Sequence, residues 1–252
     1  MWAFSQSKGS TLEIGRVVRV DVQTNDDTTT SSVVTSVQLE SGTTIPADVV
    51  VIACGPWTEE ARYWFPDDIP GLDSIPTITG VKCHSILTPA PQVLNQAVFF
   101  ESNGPLGEGD LEVYPRPDGD AYVNGFQGEE GIVQERPGLE AIEPDAIDRL
   151  QSAMDDVSSI LEGRTPHTQQ ACYWPETPDG LPMIGQLSTS KNSGLTNAFI
   201  ATGHSVWGIL QGPATGKALA EWIVDGKPSC LDLTAFGLDR FVAENGLGDD
   251  SS

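Results

Sequence analysis

Positive charge is what this sequence of 252 residues has least of: 13 lysines and arginines stand against 36 aspartates and glutamates, a formal net charge of −23. A surface that acidic repels a phosphate backbone, which argues against nucleic acid and against an anionic membrane surface as partners. No apolar run approaches the ~20 residues needed to span a bilayer, and the opening MWAFSQSKGS lacks the long apolar core of a secretion signal. No membrane insertion is expected. The four cysteines, Cys54, Cys83, Cys172 and Cys230, contain no C-x-x-C pair, and the three histidines, His84, His167 and His204, contain no i, i+4 pair, so no metal site is expected. Scattered reduced thiols, with no Asn-x-Ser/Thr acceptor, point to a cytoplasmic protein. A G-x-G-x-x-G run is missing as well: Gly104, Gly107 and Gly109 come in the wrong order.

What is present is an ordinary globular composition, 38% hydrophobic and 19% charged. The chain reads first as a short helix over Met1 to Gly9. Alternating strands follow over Leu12 to Val22 and Val33 to Leu39, with turns at NDDTTTSS and SGTTIPAD, then an unbroken apolar run, Val49 to Ala53, typical of a central strand. Cys54-Gly55-Pro56-Trp57-Thr58 turns into a short helix over Glu59 to Tyr63, and the proline-rich Pro66 to Pro76 crosses to a second unit. There the pattern is antiparallel: Val81 to Thr88, Ala97 to Glu101, Glu112 to Tyr114 and Ala121 to Phe126, with a hairpin signal at Asp118-Gly119. Pro144 to Glu162 is a helix, with Ile147, Leu150, Met154, Val157 and Leu161 on one face and Gly163 closing it. Gln169 to Trp174 reads as a returning strand.

The organising stretch is Asn197 to Ile223. Ala198 to Ala201 is a strand buried on both faces, Gly203 breaks it, and from Gly208 the apolar positions Ile209, Leu210, Ala214, Ala218, Leu219, Trp222 and Ile223 give a helix one greasy face. Free N–H groups and a positive dipole end at such a turn hold electron-rich groups. A hydrolase elbow is excluded, because the next glycine after Ser205 is Gly208, one residue too late, and no histidine follows. A phosphate loop fails too: Gly212 to Lys217 is one residue short, and Ala218 supplies no hydroxyl for magnesium.

Three segments in order, ADVVVIACGPWT, ETPDGLPMIG and ATGHSVWGILQGPATGKALAEWI, resemble the FAD-dependent amine and amino-acid oxidase (DAO) family of D-amino acid oxidase, glycine oxidase and sarcosine oxidase. The form QACYWPETPDGLPMIG…GHSVWGILQGPATG is most similar to a eukaryotic branch without a defined substrate. The resemblance implies an α/β (α+β) fold: a partial FAD-binding Rossmann-like domain over 1–75 and 172–246, an inserted antiparallel substrate-binding domain over 76–171, and a frayed tail over 247–252. It also implies FAD as cofactor, hydride transfer from a C–N bond of a small-molecule substrate, and roles for particular residues. Val17 and Val18 would lie at the adenine, Cys54, Gly55 and Trp57 at the pyrophosphate and ribityl, and Gly180 and Leu181 along the cofactor's middle. Gly203, His204, Ser205, Trp207, Gly208 and Ile209 would lie at the flavin ring, Trp174 and Trp207 would line the substrate, and Tyr173 and His204 are the catalytic candidates.

The sequence departs from the family pattern twice. The family's initial G-x-G-x-x-G unit is absent, so a fragment or truncated member, catalytically silent and acting as a binding or scaffold protein, is the alternative expectation. The arginine that clamps an amino-acid carboxylate is replaced by Trp174, which cannot reproduce a guanidinium fork.

Overall fold

The computed structural model describes residues 1–24, 30–67, 69, 72, 75–104, 107–126, 128, 130–131, 133–187 and 193–241. The tail and most of the NDDTTTSS turn lie outside them. A short helix, α1 (Trp2–Ser7), buries no side chain. Strand β1 (Val17–Thr24) starts later than the alternation of Leu12 to Val22 suggests, because its partner β2 (Thr30–Leu39) ends opposite Val17, at Leu39. With no partner, Leu12 and Ile14 stay exposed. The register shifts between Val17 and Arg19, so Val18 sits in a bulge. A short β3 (Thr44–Pro46), within the stretch read as a turn, pairs with β2, and β12 (Ser193–Leu195) completes this sheet from its parallel side.

A second, three-stranded sheet has the order β11-β13-β4, from β4 (Val50–Ile52), β11 (Met183–Gln186) and β13 (Ala198–Thr202). The strand read as central, β4, stands at the end of this order with Val51 42% exposed, while β13 is the central one. Both faces of β13 are covered, in alternation. Ala198 and Ile200 join a core with Val20, Val34, Ile52, Ile75 and Leu195, and Phe199 packs with Ile184, Ala218 and Leu219 on the other side. Helix α3 (Gly208–Asp225) therefore buries a narrower face than its apolar spacing implies. Thr215, Ala218 and Leu219 are buried and Trp222 and Ile223 pack beside them, whereas Ile209 is 96% and Leu210 73% exposed.

The third sheet is antiparallel, in the order β10-β5-β8-β7-β6, built from β5 (Thr79–Pro89), β6 (Val98–Gly104), β7 (Gly107–Pro115), β8 (Asp120–Gly125) and β10 (Thr168–Glu176), with β9 (Glu130–Gly131) beside β5. The hairpin at Asp118-Gly119 forms as its sequence signals, with Asp118 accepting from the Asp120 amide at 3.2 Å. One face is covered by α2 (Pro144–Val157), whose Ile147, Leu150, Ala153 and Met154 meet Ile86, Leu111, Val113 and Val123. The helix stops at Val157, short of Glu162, because Ser158 leaves helical geometry. Leu161 still reaches the core from the following turns.

One side chain stitches two of these sheets. Asn197 donates to the carbonyls of Val34 (2.9 Å) and Asp48 (2.7 Å) and accepts from the Val34 amide (2.7 Å). Removing it leaves backbone groups unpaired, each worth about 1–3 kcal/mol when buried. Asn197→Ala is expected to lower stability by about 2 kcal/mol, read as a lower urea midpoint at unchanged m value; an unchanged midpoint contradicts the stitch.

Candidate functional site

Strands β4 and β13 run parallel and adjacent, Ala198 opposite Val50 and Ile200 opposite Ile52, so their carboxyl ends lie side by side. At the first, Gly55 opens a 3-10 stretch to Trp64 with φ +55°; at the second, Gly203 turns with φ +72°. L side chains rarely adopt such angles, and a Cβ on Gly203 would collide with the Thr177 side chain. Strand β11 is antiparallel to β13, with Met183 opposite Thr202, which brings the preceding Asp179-Gly180-Leu181-Pro182 loop to the same edge. The Gly55 turn and the two motifs that follow it by more than a hundred positions, at Gly180 and Gly203, thus meet at one edge.

Two buried hydroxyls lock this arrangement. Thr58 donates to the Gly55 carbonyl (2.7 Å) and lies 2.9 Å from the Thr202 hydroxyl, itself 3.1 Å from the same carbonyl. The D-G-L-P loop is clamped by Arg240, whose guanidinium donates to both Asp179 oxygens (2.6 and 3.1 Å) and to the Leu181 carbonyl (3.0 Å). Chiefly through that hydrogen bond, the Asp179 carboxyl is held below the usual carboxylate range. Nothing in the local sequence announces Arg240, which lies 61 positions from its partner.

After Gly203, Ser205 takes φ +49°, a strained value for a residue with a side chain, and its hydroxyl donates to Glu176 at 2.5 Å. This contact ties the turn to the end of β10. Neither the short 3-10 turn Ser205–Trp207 nor α3 has a side-chain cap, so their first amides are free of side-chain acceptors. Val206, Trp207, Ile209 and Leu210 around them are exposed apolar residues. His204 faces inward, its Nε2 3.0 Å from the Thr215 hydroxyl of α3, and burial pushes its pKa down, which keeps the ring neutral at pH 7.

Side chains alternate along β10. Glu176, Trp174 and Cys172 share one face, opposite Thr79, Val81 and Cys83 of β5, and Trp174 stands two residues from the Ser205 contact. Tyr173 points to the other face, beside Gly80 and Val133, away from Trp174. Trp57 donates its indole N–H to the Gln134 carbonyl at 2.7 Å and lines a cleft with Pro56, Tyr63, Thr79 and Val133. Val17 and Val18 lie at the start of β1, the strand that packs against the 3-10 stretch opened by Gly55; Val17 and Cys54 pack on the same core, and Val18 is 44% exposed in its bulge. Cys54 is half-buried, and burial raises its thiol pKa. Among the described residues no group of three or more side chains is placed to hold a metal ion, and no helix is long and apolar enough to cross a membrane.

The family model for FAD dependent oxidoreductases (DAO) matches residues 4–222. The chain belongs to this family. It is 30% identical over 203 residues to the Schizosaccharomyces pombe protein named "Putative oxidoreductase C1F5.03c", covering 79% of this chain and 46% of that one. It is 27% identical over 213 residues to glycine oxidase of Geobacillus kaustophilus, covering 82% of this chain and 48% of the relative. The crystal structure of that glycine oxidase superposes with a TM-score of 0.71 at 22% identity, over 94% of this chain and 55% of the enzyme. The chain thus spans about half the length of these two relatives. Its mixed helix-and-sheet architecture is the fold of DAO-family flavoenzymes.

Because the Asp179 pKa is depressed in the folded state, the Arg240 pair contributes stability above the unfolded aspartate pKa of about 3.9 and loses it as pH falls through the folded value. The pair is partly exposed, so Arg240→Met is expected to cost only about 1–2 kcal/mol at pH 7. The gap between wild type and variant should narrow as pH falls below about 4, leaving the share owed to the Arg240 bonds to the Leu181, Phe236 and Gly237 carbonyls. A gap that stays constant there in pH-dependent thermal melts would show that the ion pair is not part of its source.

Proposed function

We propose that this chain forms part of an FAD-dependent oxidoreductase that oxidises a C–N bond of a small amine. The observation that carries this reading is the convergence of the Gly55, Gly180 and Gly203 turns at the carboxyl edge of parallel β4 and β13, where α/β sheets bind ligands. The residues fit FAD on the structure's own terms. A Cβ built on Gly55 or Gly180 meets nothing within 4 Å, so both turns leave room for a ligand against the backbone. The uncapped start of α3 offers amides and a positive dipole end, surrounded by exposed apolar side chains that suit a planar ring.

In this reading, FAD when bound supplies the hydride acceptor. Gly203 to Ile209 would hold its ring, where the positive end of α3 would favour the negative charge gained on reduction. Cys54, Gly55 and Trp57 line the phosphate and ribityl portion, Gly180 and Leu181 the middle, and the bulged backbone at Val17 and Val18 is available to the adenine. His204, neutral and held by Thr215, positions the turn, and Ser205 with Glu176 fixes it against β10. Trp174 and Trp207, on either side of that hydrogen bond, line the substrate. Tyr173 faces away from Trp174, so its part in catalysis is indirect.

The substrate class follows from charge. Where an amino-acid oxidase would place a guanidinium, Trp174 presents an aromatic face. The neighbouring cation, Lys82, points to the opposite side of the sheet, paired with Glu143 at 2.5 Å. An amine without an α-carboxylate fits such a surface through cation–π contact. The FAD-binding part would comprise 1–75 and the segment after β10, with the antiparallel sheet as the substrate part; the pairing of β10 with β5 up to Glu176 supports drawing their boundary there rather than at 171. The family match does not favour the catalytically silent scaffold.

Titration of the purified chain with FAD, followed by quenching of flavin fluorescence, tests the reading. Saturable binding is expected, and Gly203→Val should weaken it at least about tenfold, since its side chain would strike Thr177 and force a disfavoured backbone angle. A folded chain that takes up no flavin overturns the assignment for this chain. Equal affinity in a folded Gly203→Val variant overturns the role given to the turn.

A further inference from the structure

The antiparallel sheet carries an arrangement that an amine oxidoreductase does not call for. Cys172 of β10 and Cys83 of β5 are direct cross-strand partners in an unbroken register from Thr168–Leu87 to Glu176–Thr79. Directly opposed residues in an antiparallel pair stand about 4.5–5.5 Å apart at Cα, inside the roughly 4.4–6.8 Å that a disulfide spans. Their side chains leave the sheet on the same face, close enough for each thiol to shift the other's ionisation, while the Cys83 thiol donates to the His84 carbonyl at 3.6 Å. Both are free thiols here.

The two partners differ in a way that suits stepwise oxidation. Cys172 is exposed, on the edge strand of the sheet, where an oxidant can reach it. Cys83 is buried directly behind it, one strand further in. The neighbouring Cys83 thiol draws the Cys172 pKa down to about 7, and the same contact, with burial, drives the Cys83 pKa up. The outer sulfur is thus the more readily ionised of the two. Glu112 opposes ionisation of Cys83 and Glu140 that of Cys172, while Lys82 points to the other face. The other two cysteines lack such a partner: the Cys54 thiol is raised by burial, and the Cys230 thiol is raised by burial and by Glu221.

We propose that Cys83 and Cys172 form a reversible redox pair in which Cys172 reacts with a hydroperoxide and Cys83 resolves the product as a cross-strand disulfide. The Cys172 thiolate attacks the peroxide, forming an S–O bond and breaking the O–O bond, and the departing hydroxide is protonated to water. Cys83 then attacks the Cys172 sulfur; the S–S bond forms, the S–O bond breaks, and the Cys83 proton leaves with the hydroxyl as a second water. Two thiols and one hydrogen peroxide give one disulfide and two waters, and a dithiol reductant reverses the change. Opposed Cβ atoms in a sheet lie about 4.5–5.5 Å apart and a disulfide needs about 3.5–4.5 Å, so closure draws β10 toward β5. Trp174 sits two residues away on the same face, so the bond is felt at the candidate substrate surface.

The pair goes beyond the oxidoreductase reading, and its test needs no flavin. The reduced chain, treated with one equivalent of hydrogen peroxide at neutral pH, should fall from four titratable thiols to two. Peptide mapping should find Cys83 joined to Cys172, and dithiothreitol should restore all the thiols. In Cys83→Ser, a dimedone adduct should accumulate on Cys172, while Cys54→Ser and Cys230→Ser still form the bond. Before oxidation, Cys172 should react with iodoacetamide at pH 7 roughly tenfold faster than Cys230. Retention of all thiols, linkage through Cys54 or Cys230, or direct conversion of Cys172 to sulfinic acid in the wild-type chain overturns the proposal; mapping of the wild type decides even if a variant fails to fold.

Discussion

The parallel pairing of β4 with β13 is the constraint on which the rest depends. Five residues of one strand and three of the other run in the same direction, and their ends are joined by the Thr58 and Thr202 hydroxyls converging on one carbonyl. Parallel strands end at the same edge, so two glycine turns that are distant in the chain become neighbours. An antiparallel pairing would have sent Gly55 and Gly203 to opposite ends of the sheet. Because β11 does run antiparallel to β13, the loop that precedes it arrives at the same edge, where Arg240 holds it.

The six-stranded sheet is organised by a different asymmetry. Its inner face is an apolar layer under α2, and its outer face carries Trp174, Cys172, Cys83, Ser85 and Asn124 in register. The strand alternation that builds the core thus also gathers the chemistry on the opposite side. The hydrogen bond between Ser205 and Glu176 joins that outer face to the turn at α3, linking the two sheets.

Much of this was legible in the residues. The buried character of β13 followed from its unbroken apolar run, the hairpin from Asp118-Gly119, and the start of α2 from Pro144 with its spaced apolar positions. The glycine turns and the family resemblance rested on motifs of a few residues each. Other readings failed for reasons of pairing. An apolar run such as Val49 to Ala53 does not say whether its strand is central or at the end of the order, and Leu12 to Arg16 alternates correctly but has no strand opposite. The apolar residues of α3 that look like one face divide between a buried side and an exposed first turn, because period alone does not reveal which side meets the sheet.

By itself, the sequence determined the element types and the identity of the turns, since propensity, glycine chemistry and apolar period act over a few neighbouring residues. Only the tertiary structure decided which turns share an edge, that Arg240 clamps Asp179, that Tyr173 and Trp174 face opposite ways, and that Cys83 and Cys172 stand directly across from each other. Each of these depends on strand direction and register, which contacts between residues tens to more than a hundred positions apart establish, and no local pattern encodes them.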